Sequence, residues 1–339
     1  MTDSCSYFSM WRVFDTLSSR GFAIPTLRSR WSLSMGLLGF SLFEAAKNQS
    51  FIKLEPLYLS IMEQTKKVIL ITGASSGIGF DTAQVLARQG HKVYAAARRT
   101  ELMEPLKQDG VVTMRMDVTD SQSMAEGVKS VLDAEGRIDV LVNNAGYGYF
   151  GAVENVTMEE ARRQVEVNVF GLAELCKLVL PTMRAQRSGR IINTSSIAGK
   201  MVMPFGAWYH VSKYSVEALS DALRMEMKPF GVDVVMIEPG GIKTDWGIIA
   251  ARHLAESSKG TAYEKEALME ADLLHNAYSG KYLSKPRVVT NAISRAVNSR
   301  RPRCRYRIGL FSGSAVFFHT ILPDRWWDGL MHRFMRIKL

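Results

Sequence analysis

Seven short apolar runs order the sequence from residue 66 onward, at 68–72, 92–97, 111–116, 138–142, 190–194, 232–238 and 305–309, and amphipathic stretches fill the gaps between them. Runs of this length read as strands. Strands joined through helices pair in parallel, because a parallel neighbour cannot be reached by a tight turn. The pattern predicts an α/β chain: a single doubly wound domain with a seven-stranded parallel sheet. An apolar fraction of 47% with 22% charged residues supplies a core for it and excludes a mainly disordered chain. One long polar and helical insertion, at 241–285 after the sixth run, stands where active-site lids occur.

The expected domain spans 62–310, with extensions on both sides. Residues 1–61 precede Met62, where the sequence reads like a fresh start, and three readings of them stand: a mis-assigned start, a targeting segment, or a structural extension. Residues 311–339 read as a basic amphipathic extension. The net charge of +10 is a property of this end: from residue 281 on, thirteen Lys and Arg face only Asp324 and Asp328 as acids, and the first 280 residues are close to neutral. No stretch reaches the roughly 18 apolar residues of a spanning helix. Cys5, Cys176 and Cys304 form no CxxC pair, which argues against a disulfide framework or a cysteine metal site and fits a reducing, cytoplasmic location.

Three motifs carry chemistry. Thr72-Gly73-Ala74-Ser75-Ser76-Gly77-Ile78-Gly79 follows the first strand and opens a helix. Glycines there let the backbone approach a pyrophosphate, whose charge sits on the free N–H groups of the helix start; a tight strand-to-helix turn is the simpler explanation. The second strand ends in Ala97-Arg98-Arg99. An NAD site places an acid there for the ribose 2′-OH, whereas a 2′-phosphate needs cations, so NADP(H) is favoured over NAD(H). The same arginines are otherwise plain solvated charges. Asp117, after the third strand, is an acceptor for an adenine amino group or else part of a helix cap.

Tyr209-His-Val-Ser-Lys213 sits in a segment of helical character, thirteen residues after Ser196. A spacing of four puts Tyr209 and Lys213 on one helix face, where an ammonium favours the phenolate and lowers the phenol pKa from ~10. Such a tyrosine can give or take an alcohol proton. A core tyrosine beside a surface lysine, and a turn serine, explain the same residues without chemistry.

Together these residues resemble the short-chain dehydrogenase/reductase family over about 66–309. The resemblance also includes Asn143-Asn144-Ala145-Gly146 after the fourth strand, Asn168 in Asn-Val-Phe-Gly, the Ser-Ser-x-x-Gly at 195–199, and Pro239-Gly240 followed by Ile242-Lys243-Thr244. It implies a Rossmann fold and an NAD(P)-dependent enzyme acting on alcohols and carbonyls, without a metal. It implies Tyr209 as general acid/base, Lys213 as its partner and a ribose ligand, Ser196 as the donor orienting the substrate oxygen, and Asn168 as support for a relay water. Gly73, Ser75, Ser76, Gly77, Ile78, Gly79, Arg98, Arg99, Asp117 and Val118 would line the cofactor on one side. Asn144, Ala145, Gly146, Lys213, Pro239, Gly240, Ile242 and Thr244 would line it on the other.

The expected substrate pocket draws on Tyr147, Phe205 and Trp246 beside Ser196 and Tyr209, with further apolar and Met-rich neighbours. Such walls suit a bulky hydrophobic alcohol or ketone, although any one of these residues also suits core or dimer packing. The closest resemblance is to the subgroup of retinol and 17β-hydroxysteroid dehydrogenases. A reductase of smaller or acyl-chain ketones is the alternative, and an idle dinucleotide-binding sensor or scaffold the alternative of another class. The resemblance implies a homodimer or homotetramer. The end of the chain reads as a helix capped by Asp324, with Trp327, Leu330, Met331 and Phe334 on one face. With Arg300, Arg301, Arg303, Arg305 and Arg307 it would touch an anionic membrane surface peripherally; folding back over the pocket, or onto a partner subunit, is the other reading. Nucleic acid is not expected, because the cluster lacks a recognised binding fold.

Overall fold

The computed structural model describes residues 66–310 and 312–336, with side chains through 333. The readings of residues 1–61 and the face position of Phe334 lie outside the described residues. In chain order the elements are β1 (Val68–Thr72), α1 (Gly77–Arg88), β2 (Lys92–Ala97), a 3-10 segment (Thr100–Asp109), β3 (Val112–Arg115), α2 (Ser121–Glu135) and β4 (Val140–Asn143). Then follow α3 (Met158–Val165), a π turn (Glu166–Phe170), α4 (Gly171–Gln186), β5 (Gly189–Thr194), α5 (Ala207–Met227) and β6 (Val232–Pro239). Last come α6 (Asp245–Ser258), α7 (Glu264–Ser279), α8 (Arg287–Asn298), β7 (Arg305–Ile308), α9 (Ser312–Ile321) and α10 (Asp324–Arg336).

The seven strands form one parallel sheet in the order β3-β2-β1-β4-β5-β6-β7. Successive strands step outward from β1 in one direction and from β4 in the other, so the direction reverses between them. Ligands of such sheets sit outside the strand carboxyl ends at that reversal. Because side chains alternate across a strand, β1 feeds two cores. Leu70 packs with Leu141, Ile191, Leu175 and Val216 on one face, whereas Ile69 and Ile71 pack with Val142, Leu86 and Ile293 on the other. Helices α2, α4 and α5 cover the first face and α1 and α8 the second.

Most strand bounds fall within a residue of expectation, but β4 begins at Val140 and not at 138. The Asp139 carboxylate takes the Val68 N–H at 2.8 Å and the Asp139 N–H reaches Val68 O at 2.9 Å, so a side chain caps the pair before the ladder starts. The 241–285 insertion folds as α6 and α7. Its ends are tied beside β7, through Gly241 to Leu310 and Ile242 to Ser284.

Two readings of the basic end change. Arg305 and Arg307 are not free for a membrane surface: Arg305 pairs with Glu217, Asp221 and Glu238, and Arg307 with Glu238. Asp324 is the first residue of α10 and not a residue ahead of it. Trp327 turns inward, 5% exposed, and its indole N–H donates to Val202 O at 3.2 Å, while Leu330 is 44% exposed. Thus α10 folds back onto the loop before α5. Among the described residues no helix is long and apolar enough to cross a membrane.

Candidate active site

A cleft of about 1100 Å³ opens along the carboxyl ends of the strands. Its floor is the turn after β1. Thr72 Oγ1 accepts the N–H groups of Asn144 and Ala145, each at 3.2 Å, and the Asn144 amide donates to Thr72 O and Gly73 O, so the turns after β1 and β4 are locked together. Gly73 takes a φ of +65°, and a Cβ on Gly79 would stand 2.3 Å from Gly73 O. Gly79 therefore does not line the cleft; it lets the first turn of α1 press against the strand end. Ser76, the N-cap of α1, makes no side-chain cap bond, and the first turn carries no acid, so the N–H groups of that turn face the cleft uncompeted. Ser75, Ser76, Gly77 and Ile78 line this end.

Arg98 and Arg99 lie exposed just past β2 and line the same end, with an Arg99 guanidinium nitrogen 3.4 Å from Ser75 Oγ. Asp117 and Val118 form the lip after β3. The cap of α2 is Asp120, which accepts from Gln122 and Ser123; Asp117 Oδ1 takes the Thr119 N–H at 3.0 Å and hydroxyl at 2.8 Å. Asn144, Ala145 and Gly146 line the middle. Opposite them Pro239, Gly240, Ile242 and Thr244 close the wall, with the Thr244 methyl beside Gly77. The cradle, the uncompeted helix start and the two cations fit a nicotinamide dinucleotide.

At the other end α5 presents Tyr209 and Lys213 from one face. Ser196, after β5, caps a single 3-10 turn: its Oγ accepts the Ala198 N–H at 3.1 Å and donates to Pro239 O at 3.3 Å. The Tyr209 ring is buried between Trp246 (centroids 4.9 Å) and Phe150 (5.9 Å). Burial pushes the phenol up to about 12, opposed by a hydrogen bond with the Ser196 hydroxyl. Lys213 Nζ lies 5.8 Å from the Tyr209 ring centroid and donates to Thr194 O at 2.8 Å. Burial lowers this ammonium to about 8, opposed by the Glu217 carboxylate. Burial between the two aromatic rings thus acts against the depressed phenol expected from the YxxxK spacing.

Asn168 stands behind the site, and Phe205 is placed differently from expectation. Asn168 is buried in the π turn behind the cleft wall. Its Oδ1 accepts the Tyr147 N–H at 3.0 Å, and its Nδ2 donates to Tyr147 O at 2.9 Å and Ser212 Oγ at 3.0 Å, which ties the loop after β4 to α5. Phe205 does not line the cleft. With a φ of +62° it turns the chain, gives its carbonyl to Gly151 N–H, and packs its ring against the cluster of Phe150, Tyr209 and α6 residues. Tyr147 and Trp246 do line the cleft. The Tyr147 hydroxyl is buried without a hydrogen-bond partner among the described residues, and burial pushes it up to about 12.

Helices α6 and α7 add residues not read from the sequence. Tyr278 of α7 packs on Trp246 at 5.9 Å, and burial with the Tyr209 field raises its phenol pKa. His253 of α6 meets Tyr149 at 4.7 Å, and Leu274 completes the wall. Trp246 lies flat on Gly148, where a Cβ would come within 2.4 Å of the indole. Only the helical periodicity of 241–285 hinted at these residues.

The short-chain dehydrogenase family model matches residues 67–252, more than half of the chain. The chain belongs to this family. Like its relatives, this short-chain dehydrogenase is an oxidoreductase. It is 39% identical over 279 residues to a 3-ketodihydrosphingosine reductase of Bacteroides thetaiotaomicron, covering 80% of this chain and 99% of that protein. A short-chain dehydrogenase from Streptomyces avermitilis superposes with a TM-score of 0.65 at 33% identity, over 79% of this chain and 95% of that one. An alcohol dehydrogenase from the archaeon Thermococcus sibiricus, solved with 5-hydroxy-NADP, gives 0.58 at 26% identity, over 72% and 96%.

Proposed function

We propose that this short-chain dehydrogenase prefers NADP(H) and interconverts a hydrophobic alcohol of steroid- or retinoid-like size with its ketone or aldehyde. The observation that carries the reading is that Ser196, Tyr209 and Lys213 line one cleft beneath the aromatic wall of Phe150, Trp246 and Tyr278. A nicotinamide dinucleotide would supply or accept the hydride. In reduction, Ser196 donates a hydrogen bond to the carbonyl oxygen while Tyr209 gives that oxygen its proton. Lys213 holds the positive charge that favours the resulting phenolate. Asn168 acts by position, holding the Tyr147 loop against α5. Arg98 and Arg99 support the preference for a 2′-phosphate, as does the Thermococcus sibiricus enzyme's complex with 5-hydroxy-NADP.

A second reading, reduction of an acyl-chain ketone, is favoured by the likeness to the Bacteroides thetaiotaomicron 3-ketodihydrosphingosine reductase. In either case 62–310 is the catalytic domain, with 241–285 as its lid. The test is NADPH oxidation over steroid, retinoid and long-chain 3-keto substrates. Turnover is expected with at least one of them and is expected to fall by about 10²-fold or more in Tyr209→Phe, which lacks the proton. Undiminished turnover in that variant would sink the acid assignment.

A further inference from the structure

The face of α5 that carries Tyr209 and Lys213 continues one turn further to Glu217, which is 4% exposed. Its Oε2 meets Lys200 Nζ at 2.8 Å and Arg305 Nε at 3.3 Å, and its Oε1 has no hydrogen-bond partner among the described residues. Gly199 lies directly over it: a Cβ there would stand 2.9 Å from Glu217 Cγ and 3.0 Å from Ser195 Oγ. Glu217 therefore sits where α5, the loop bearing Ser196 and strand β7 converge.

We infer that Glu217 is a positioning residue for the proton machinery: its carboxylate, anchored by Lys200 and Arg305, keeps buried Lys213 an ammonium while leaving the Nζ hydrogens free of a contact ion pair. The inference rests on Lys213 being the partner of Tyr209. Among the described residues Lys213 Nζ donates to the neutral Thr194 carbonyl, which cannot offset the desolvation of a buried cation by itself. The Tyr209 ring of α5 also faces it, with its centroid 5.8 Å from Nζ. Beyond Glu217 stand Lys200 in the loop, Asp221 on α5, Glu238 on β6, and Arg305 and Arg307 on β7. Asp221 and Glu238 are engaged with arginines. Glu217 opposes the lowering of the Lys213 pKa. A carboxylate touching Nζ would quench its donors; one held a turn away by other cations acts through its field alone.

The test is an NMR titration of Lys213 in the cofactor-free protein grown on ε-13C lysine, with the signal assigned by its loss in Lys213→Met. Glu217→Gln is expected to lower the midpoint by about one unit, and Glu217→Asp to keep it near the wild-type value. Lys200→Gln, which removes a cation from the same carboxylate, is expected to raise it. In turnover, the high-pH limb should shift with Glu217→Gln as the NMR midpoint does. A Glu217→Gln protein that melts earlier with an unmoved midpoint would make Glu217 a staple between β7 and α5 and overturn the inference. Should that variant not fold, a Lys200→Gln midpoint that stays or falls overturns it equally. Retained turnover in Tyr209→Phe would remove the reading of the reaction while leaving the titration intact, so the two failures are distinct.

Discussion

Glu270 is a carboxylic acid buried in α7, 3% exposed, whose Oε2 has no hydrogen-bond partner among the described residues. Burial raises its pKa to about 7. A folded pKa above the unfolded value means that ionisation opposes folding: the protonated acid costs nothing below the unfolded value of ~4.3, and stability declines as pH rises toward 7. Glu270→Gln is therefore expected to match wild type near pH 4.5 and to melt higher at pH 8, by on the order of 1–3 kcal/mol. Identical pH dependence in both proteins would show the carboxyl to be solvated. Cofactor choice also belongs to single residues. On the proposed NADP(H) preference, Arg98→Asp with Arg99→Ser is expected to shift the NADPH to NADH ratio of kcat/KM toward NADH by about 10²-fold, because a carboxylate repels the 2′-phosphate and accepts from a free 2′-OH. An unchanged kcat/KM ratio would place the discrimination elsewhere.

Elements meet at the glycine turn, where α1 can touch β1 only because residue 79 has no side chain. Gly79→Ala forces the helix start off Gly73 O, with an expected loss of at least tenfold in dinucleotide affinity and about 1–3 kcal/mol of stability. Wild-type affinity by fluorescence titration would show that the turn yields. At this scale the sequence was easiest to read, since strands buried on both faces are short continuous apolar runs and the helices between them are amphipathic. It failed at β4, where the Asp139 side chain replaces a ladder bond. It also misplaced Phe205, which takes a φ of +62° and packs in the cluster behind the cleft lining. The types and spacing of Ser196, Tyr209 and Lys213 were legible; the raised phenol was not, because Phe150 and Trp246 arrive from distant segments. Tyr278 escaped for the same reason.

For the whole molecule, the surface of α5 and the neighbouring π turn leaves Phe170, Val211, Tyr214 and Met225 exposed by 57%, 47%, 40% and 64%. Large apolar side chains in such number mark a contact face, and the family resemblance points to a homo-oligomer. Phe170→Asp with Met225→Asp is expected to convert a dimer or tetramer to monomer in light scattering, with unchanged melting of the separated chain. A wild-type monomer would assign the face to another partner. The charge distribution, by contrast, is less telling than its total. Part of the basic end is consumed inside the fold by Glu217, Asp221 and Glu238.

The bare backbone at Gly148 has a consequence for altering this enzyme. Because the indole of Trp246 rests directly on it, one added methyl displaces the largest ring in the wall, and both the room available to a ligand and the packing on Tyr209 change without any substitution at the groups that handle protons. A directed-evolution campaign seeking new specificities has its most economical starting codon there.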